Sequence, residues 1–365
     1  VLPLSVRDVT FAYPKSPFAL TGVSFEVGRS AHVAVIGAAG CGASTLLRLI
    51  AGELRADGGE IRLGAHVVNG LARAKRPLLY VTSAIDAPRR WSVEHLLVAA
   101  VRGRTLDRVD RKRELDFAVE RWELTALLGR RIDTLSSTES TAANLARIEL
   151  LKPAVLVADR LLERTSPERL PALADALYRL LRVAGTTVIS APASPFELGV
   201  TESVVVLDGG RVVQQGAAAE VFAHPASEAA ARATGDVNVI PVTLRGNEVD
   251  SVIGSWTLPG TPPFAGNGVA LVRPTAFSVA GAGEESDLIF GIEEAGFADG
   301  RWLLRGVLSG NRELRVSLPA DAAIHKGRLI ALRYDPQTFT LLSREAPAPF
   351  AGVPTDVVPL LRESR

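Results

Sequence analysis

The stretch GAAGCGAST, residues 37–45, completes the apolar run AHVAVIG (31–37) and opens STLLRLIAGEL (44–54). A continuous apolar run of this length predicts a parallel strand buried on both faces, and the spacing after it predicts a helix. Between them the glycines follow the phosphate-binding pattern G-x-x-x-x-G-K-[ST]. In that pattern glycines let backbone N–H groups surround phosphates, a lysine reaches the outer two, and a hydroxyl holds Mg²⁺. Gly37, Gly40, Gly42, Ser44 and Thr45 occupy the expected places, but Ala43 stands where the lysine would be. The shape of the loop is kept and its charge is lost. Taken alone, the match is equally compatible with a glycine-rich turn that holds no ligand.

Outward from the loop, strands are expected near 4–11, 22–27 and 60–68, followed by a helical block from about 92 to 152. Strand runs return at AVLVAD (154–159), TTVISA (186–191) and SVVVLDGGRVV (203–213), with a helix between the first two. This order predicts an α/β fold, a parallel sheet with crossover helices into which the helical block is inserted. After about residue 236 helical periodicity disappears. Short strands then recur between Gly and Pro turns, at GVALVRP, DLIFGIEEAGF, WLLRGVLSG, ELRVSLPA, RLIALRYD and FTLLSRE, which indicates a small β-domain with a barrel-like form.

The chain of 365 residues is long enough for two domains. Its 41 Lys and Arg against 40 Asp and Glu leave no dense basic run, so nucleic acid is not an expected partner. No uninterrupted apolar segment approaches the roughly 18–20 residues that span a bilayer. The N-terminus alternates like a strand and shows no secretion signal, so a cytosolic location is expected. Cys41 is the single cysteine, and neither it nor His32, His66, His95, His224 and His325 show metal-ligand spacing. Methionine is absent altogether, which keeps a trimmed or redesigned sequence among the alternatives.

Downstream, LSSTESTAANLARIELLKPAVLVAD (135–159) resembles the ATP-binding subunits of ABC transporters, whose pattern reads LSGGQ, a helix ending in LARAL, a proline, four apolar residues and Asp-Glu. Leu135, Ser136, Leu145, Ala146, Arg147, Pro153 and Asp159 fall on it without a gap. FAYPKSPFALTGVSFEVG, STLLRLIAGELRADGGEI and VVVLDGGRVVQQGAAAEVFAHP extend the resemblance over about residues 4–235, and VALVRPTAFSV resembles a stretch of the accessory β-domain of import-type subunits. The resemblance implies a phosphate-loop NTPase-type nucleotide-binding domain over 1–235, with a helical subdomain at about 85–152, and a TOBE-like β-domain over 236–365. It implies ATP and Mg²⁺ as cofactors, with Tyr13 stacking on adenine, Gly37, Gly40, Gly42, Ser44 and Thr45 at the phosphates, and Ser44 with Asp159 at the metal. It also implies transmembrane permease subunits and a second ATP-binding subunit as partners, with the chain peripheral at the inner face of the cell membrane.

The sequence departs from the family wherever the chemistry would occur. Arg160 stands in place of the glutamate that polarises water, Ser83 in place of the glutamine, Ala191 in place of the switch histidine and Ser166 in place of an aspartate. No catalytic residue is therefore assigned. In the signature, Ser137 and Thr138 replace glycines and Glu139 brings a carboxylate, which at about 5 Å from a phosphate would repel it by roughly 3 kcal/mol. Ser136 followed by Glu139 also reads as a capping box that needs no ligand. The expectation is an importer subunit with weak nucleotide binding and impaired or absent hydrolysis. The alternatives are an ATPase with an unusual constellation, a non-catalytic regulatory protein on the same scaffold, and a disabled variant.

Overall fold

The computed structural model describes residues 2–102, 104–166, 168–281, 285–308, 312–322, 324 and 327–344. Contacts divide the chain after Gly235 into two compact units. The last part of the expected second domain, 345–365, lies outside the described residues, as does His325.

In the first unit, apolar runs buried on both faces build a six-stranded sheet. Its members are β3 (His32–Gly37), β6 (Leu79–Thr82), β7 (Val155–Asp159), β8 (Thr187–Ala191), β9 (Ser203–Asp208) and β10 (Arg211–Ala217), after β1 (Leu4–Ala12), β2 (Ala19–Val27), β4 (Gly58–Leu63) and β5 (His66–Val67), which form a separate sheet. The large sheet runs β10-β9-β3-β8-β7-β6, with only β10 antiparallel to its neighbour, and the small one runs β2-β1-β4-β5, antiparallel throughout. Alternate residues of the large sheet serve two layers. Val155, Val157 and Ile189 pack with helix α1 (Ala43–Ala51) and the small sheet, while Leu156, Ala158 and Val188 pack with α2 (Val93–Arg102), α4 (Ser137–Leu151) and α5 (Leu170–Val183). This two-sided burial is why the strand runs lack polar alternation. Helix α3 (Arg108–Arg121) completes the helical block, and α6 (Ala218–Ala223) and α7 (Glu228–Thr234) close the unit.

Two buried polar side chains hold the layers in place. Arg76 is 6% exposed and donates through Nη1 to the carbonyls of Leu49 and Ile50 at 2.8 and 2.7 Å, satisfying the last turn of α1. Asn144, 1% exposed, donates to the Thr82 carbonyl at 3.0 Å and ties α4 to the end of β6.

The second unit has two five-stranded antiparallel sheets around one apolar core. One runs Gly254–Thr257, Glu248–Ser251, Asn238–Arg245, Gly266–Val272, Thr340–Ser343; the other runs Phe277–Val279, Leu329–Tyr334, Leu288–Ala298, Arg301–Leu308, Arg312–Pro319. Ile240, Val242, Phe290, Leu304 and Leu318 meet between them. Asn238 bridges the sheets, donating to the Arg315 carbonyl and accepting from the Arg315 N–H, both at 2.8 Å.

At the start of β3, His32 is stacked on Tyr178 with ring centroids 4.2 Å apart. Its Nδ1 lies 3.3 Å from the Val200 carbonyl and must donate, so Nε2 accepts from the Ser190 hydroxyl at 2.9 Å. The neutral ring satisfies both partners, and burial, with a smaller contribution from Arg182, lowers its pKa from 6.5 to about 4. The unfolded chain therefore takes up this proton first as pH falls. The stabilisation from keeping the ring neutral is complete above about pH 6.5 and is lost progressively toward pH 4, a change of about 3 kcal/mol. In denaturant titrations at both pH values, His32→Gln is expected to lose less stability on acidification than the wild type by about that amount. Parallel pH profiles would show that the imidazole is not the titrating group.

Candidate functional site

The sequence turns from β3 into α1 through backbone conformations that favour glycine. Gly40 and Gly42 have φ of 84° and 107°, and a Cβ on Gly37 would lie 2.2 Å from the Leu207 carbonyl oxygen. Between them the Cys41 N–H donates to the Ala38 carbonyl at 2.9 Å, and the Cys41 thiol is buried, its pKa raised mainly by desolvation. Helix α1 starts with Gly42 as N-cap, without a side-chain cap and without an acidic residue in its first turn. Its first N–H groups and its positive dipole end are thus available to an anion. They open onto a hollow of about 730 Å³ whose wall includes Tyr13, Phe18, Arg160, Pro192 and Arg232.

All the loop residues named from the sequence, Gly37, Gly40, Gly42, Ser44 and Thr45, line this hollow. Tyr13 joins them: its hydroxyl lies 3.3 Å from Thr45 Oγ1, and its ring meets Phe11 edge-on with centroids 4.8 Å apart. Ala43, where the pattern has its lysine, lines the same hollow and is packed on its other side against the apolar core. The two guanidinium groups on the wall already have carboxylate partners, Arg160 with Glu163 at 2.7 Å and Arg232 with Glu228 at 2.8 Å. The backbone geometry suits a phosphate, whereas the side-chain charges are engaged with one another.

Asp159 does not line the hollow but stands next to it, at the end of β7, 8% exposed. Ser44 donates to its Oδ1 at 2.7 Å, which brings the two expected metal-site residues together as a hydrogen-bonded pair. A second hydroxyl, which the sequence reading does not assign, reaches the same carboxylate. Tyr80, 6% exposed on β6, donates to Asp159 Oδ2 at 3.1 Å, and Arg73 lies over its ring at 5.4 Å. Burial, followed by the Asp159 charge, pushes the Tyr80 hydroxyl up to about 12, so it is a fixed donor at neutral pH. An ionised carboxylate has about four lone-pair positions, so the two donors leave acceptor capacity on Asp159 beside the Ser44 oxygen, a donor set that is compatible with Mg²⁺. Among the described residues, no group of three or more His, Cys, Asp or Glu side chains could hold a metal ion.

The signature region carries a correction. Glu139 folds back to accept from the Ser136 N–H at 2.7 Å, while Ser136 Oγ accepts from the Glu139 N–H at 3.3 Å, completing the capping box of α4. The Ser136 backbone bond is the main cause holding its carboxyl below the ordinary range, and Arg130 at 2.8 Å pairs with the charge. The expected repulsion of about 3 kcal/mol treated this carboxylate as free; paired with Arg130 at the protein surface, it repels a phosphate less than that. A second capping box joins Ser194 and Glu197, its S-x-x-E pattern legible in SPFE (194–197). Glu197 is 2% exposed and accepts from the N–H groups of Ala193 and Ser194 at 2.8 and 3.3 Å, fixing the rim of the hollow after β8.

Where the family's catalytic groups would stand, Arg160 has left-handed backbone, φ 50°, with its N–H on the Ala191 carbonyl at 2.9 Å. Ala191 ends β8, 5% exposed, and Ser83 follows β6 in a bend. Ser166 accepts through its carbonyl from the Leu170 N–H at the start of α5.

A parallel sheet whose strand turns through glycines into an uncapped helix defines a phosphate-loop nucleotide-binding domain. Residues 20–162 match the family model for the ABC transporter. The sn-glycerol-3-phosphate import ATP-binding protein UgpC of Rhizobium meliloti (strain 1021) is 28% identical over 284 residues, covering 76% of this chain and 79% of that protein. Its counterpart in Cupriavidus necator is 30% identical over 242 residues, 66% of each chain. Among solved structures, an ATP-binding subunit of an ABC transporter aligns with TM-score 0.53 at 22% identity over 60% of this chain and 91% of its own. A bacterial Atm1-family ABC exporter with ATP bound aligns at 0.54 and 19%, over 64% and 42%; at these identities both report on the fold. The chain belongs, through this cassette, to the ABC transporter family.

The loop glycines are not equivalent. A Cβ on Gly42 would meet Leu20 Cδ2 at 2.6 Å and Phe18 Cζ at 2.7 Å, whereas one on Gly40 meets nothing within 4 Å. Gly40→Ala is expected to cost about 1 kcal/mol from its backbone alone, and Gly42→Ala about 3 kcal/mol through added overpacking. Denaturant titration ranks them, and a Gly40 variant that is the less stable of the two would mean that the loop takes another course.

Proposed function

We propose that this chain is the ATP-binding subunit of an ABC-type importer in which nucleotide binds weakly and hydrolysis is impaired. The observation that carries this reading is a phosphate-shaped hollow at the start of α1 whose surrounding charges are already paired. The import subunits among its relatives support the transport role. Among the described residues no helix is long and apolar enough to cross a membrane, which is consistent with transmembrane permease subunits as partners at the inner membrane face and with pairing to a second cassette. The second unit serves as the TOBE-like accessory domain.

In this reading Gly37, Gly40 and Gly42 give the phosphates close access to backbone N–H groups, Ser44 and Thr45 add hydroxyls, and Tyr13 offers its ring to adenine. Mg²⁺, when bound with nucleotide, would supply charge neutralisation at the phosphates, and Ser44 with Asp159 are the residues placed to receive it. At the position next to Asp159 a guanidinium cannot accept a proton from water, and Arg160 is in any case held by Glu163.

Restoring the cation tests the binding part. Ala43→Lys adds one charge-assisted contact and is expected to tighten ATP by about tenfold in calorimetry. An unchanged dissociation constant would show that phosphate does not sit at residues 37–45. Phosphate release by the wild-type chain is expected to equal that of Ser44→Ala, and clear excess turnover would establish an active ATPase instead.

A further inference from the structure

Two arginines line the hollow, and they come to it from opposite faces of the large sheet. Helix α7, which carries Arg232, packs through Ala230 on Ala34, Ile36, Val204 and Val206, whereas α1 packs on the other face with Val33, Val35 and Val205. Arg160 instead follows directly on Asp159, whose carboxylate accepts from Ser44 in the first turn of α1 at 2.7 Å. Successive strand residues point to opposite faces, so a continued β7 would send residue 160 to the side of Ala158, away from α1. The strand ends at Asp159, however, and the left-handed backbone of Arg160, φ 50°, breaks the alternation and leaves the residue on the wall that Ala43 also lines. That conformation is unfavourable for a long side chain, and the bond from the Arg160 N–H to the Ala191 carbonyl at 2.9 Å holds it.

The hold on this guanidinium is weak. Glu163 pairs with it at 2.7 Å, but the two side chains are 55% and 46% exposed. An ion pair in that setting shifts the balance between paired and free side chains by no more than about fivefold. A charge-assisted bond to a phosphate is worth roughly ten- to a hundredfold, and a guanidinium presents two donors in the plane of two phosphate oxygens. Exchange of Glu163 for a phosphate therefore favours the phosphate, with a surplus of about two- to twentyfold. We propose that Arg160 supplies the cation that Ala43 does not: on nucleotide entry its guanidinium leaves Glu163 and binds a phosphate held by the loop. The inference rests on the nucleotide-binding reading of the hollow and adds to it a side chain that contacts the ligand. Glu163 becomes the counter-ion that competes with the phosphate for that side chain.

Calorimetric titration of the full chain with ATP tests this. Arg160→Gln is expected to raise the dissociation constant about fivefold, and Arg160→Lys, which keeps the charge but not the planar fork, about twofold. Glu163→Gln removes the competitor and is expected to tighten ATP about threefold, an effect that falls below about twofold when Arg160 is already Gln. Arg232→Gln, on the other face of the sheet, is expected to stay within about twofold of the wild type. Thermal unfolding of each variant at the wild-type temperature shows that the fold is kept, as the exposure of these side chains leads one to expect. A folded Arg160→Gln that binds ATP as the wild type does overturns the proposal. So does an Arg232→Gln that loses as much as Arg160→Gln, or a Glu163→Gln gain that persists undiminished without Arg160, since either result reflects overall charge rather than a contact. Absence of saturable ATP binding by the wild type and by Ala43→Lys alike overturns the nucleotide-binding reading and this proposal together, and is distinguishable because the other failures require binding to be seen.

Discussion

The Leu207 carbonyl oxygen stands where a side chain on residue 37 would have to go, 2.2 Å from any Cβ there. Gly37 pairs with Leu207 in the parallel register of β3 and β9, so this contact arises from the sheet itself and not from a ligand. Because the chain must pass this point as glycine, it leaves the sheet in one direction, bends through Gly40 and Gly42, and begins α1 with its N–H groups turned to a hollow. The position of Ser44 against Asp159, one strand away from β8 and two from β3, follows from the same passage. The opening at α1 is thus fixed by strand pairing and steric exclusion before any charge is considered.

That ordering explains how the fold and the reactive groups can separate. A fully buried Leu, Ile or Val contributes roughly 1.5–3 kcal/mol, and β3, β7 and β8 place such residues on both of their faces. One charge-assisted hydrogen bond contributes about 1.5–3 kcal/mol, and a lysine aimed at an empty phosphate site contributes less to folding than that. Replacing it by Ala43 removes little from the scaffold. The signature helix shows the same independence, because the Ser136–Glu139 box gives α4 its N-terminus whether or not a phosphate is near.

Glycine positions and local caps were legible in the sequence because each acts through its own backbone. Gly40 and Gly42 encode left-handed conformations directly, and S-x-x-E encodes a helix start within four residues. The two-faced apolar runs gave the large sheet for a similar reason. What stayed hidden depends on register across the sheet. Tyr80 and Asp159 are 79 residues apart, and nothing in LLYVTS marks its tyrosine as anything but an apolar strand residue. The strands from Asn238 to Thr257 leave little trace in the sequence, because Pro241 cannot donate to a ladder and the EVDS and GSWT stretches are short and polar. In the structure Pro241 is accommodated opposite Val269, and the strand around it alternates buried and half-buried residues regularly.

The hollow and the signature share an electrostatic character that no single position reveals. Arg160 is paired with Glu163, Arg232 with Glu228 and Glu139 with Arg130, while the Asp159 carboxylate takes two hydroxyl protons. A catalytic phosphate site depends on charges left unmatched until the ligand arrives, because only then does the ligand gain the full interaction in a preorganised setting. Here each charge already has a partner, but the arginine pairs are about half exposed and each contributes no more than about 1 kcal/mol, so a phosphate gains only the difference when it takes such a partner's place. The N–H groups at the head of α1 stand apart from this pairing: they have no side-chain cap and their dipole is fixed by the helix. An anion that enters is therefore drawn by backbone, and the geometry of residues 37–45 governs what binds more than any ionised side chain around them.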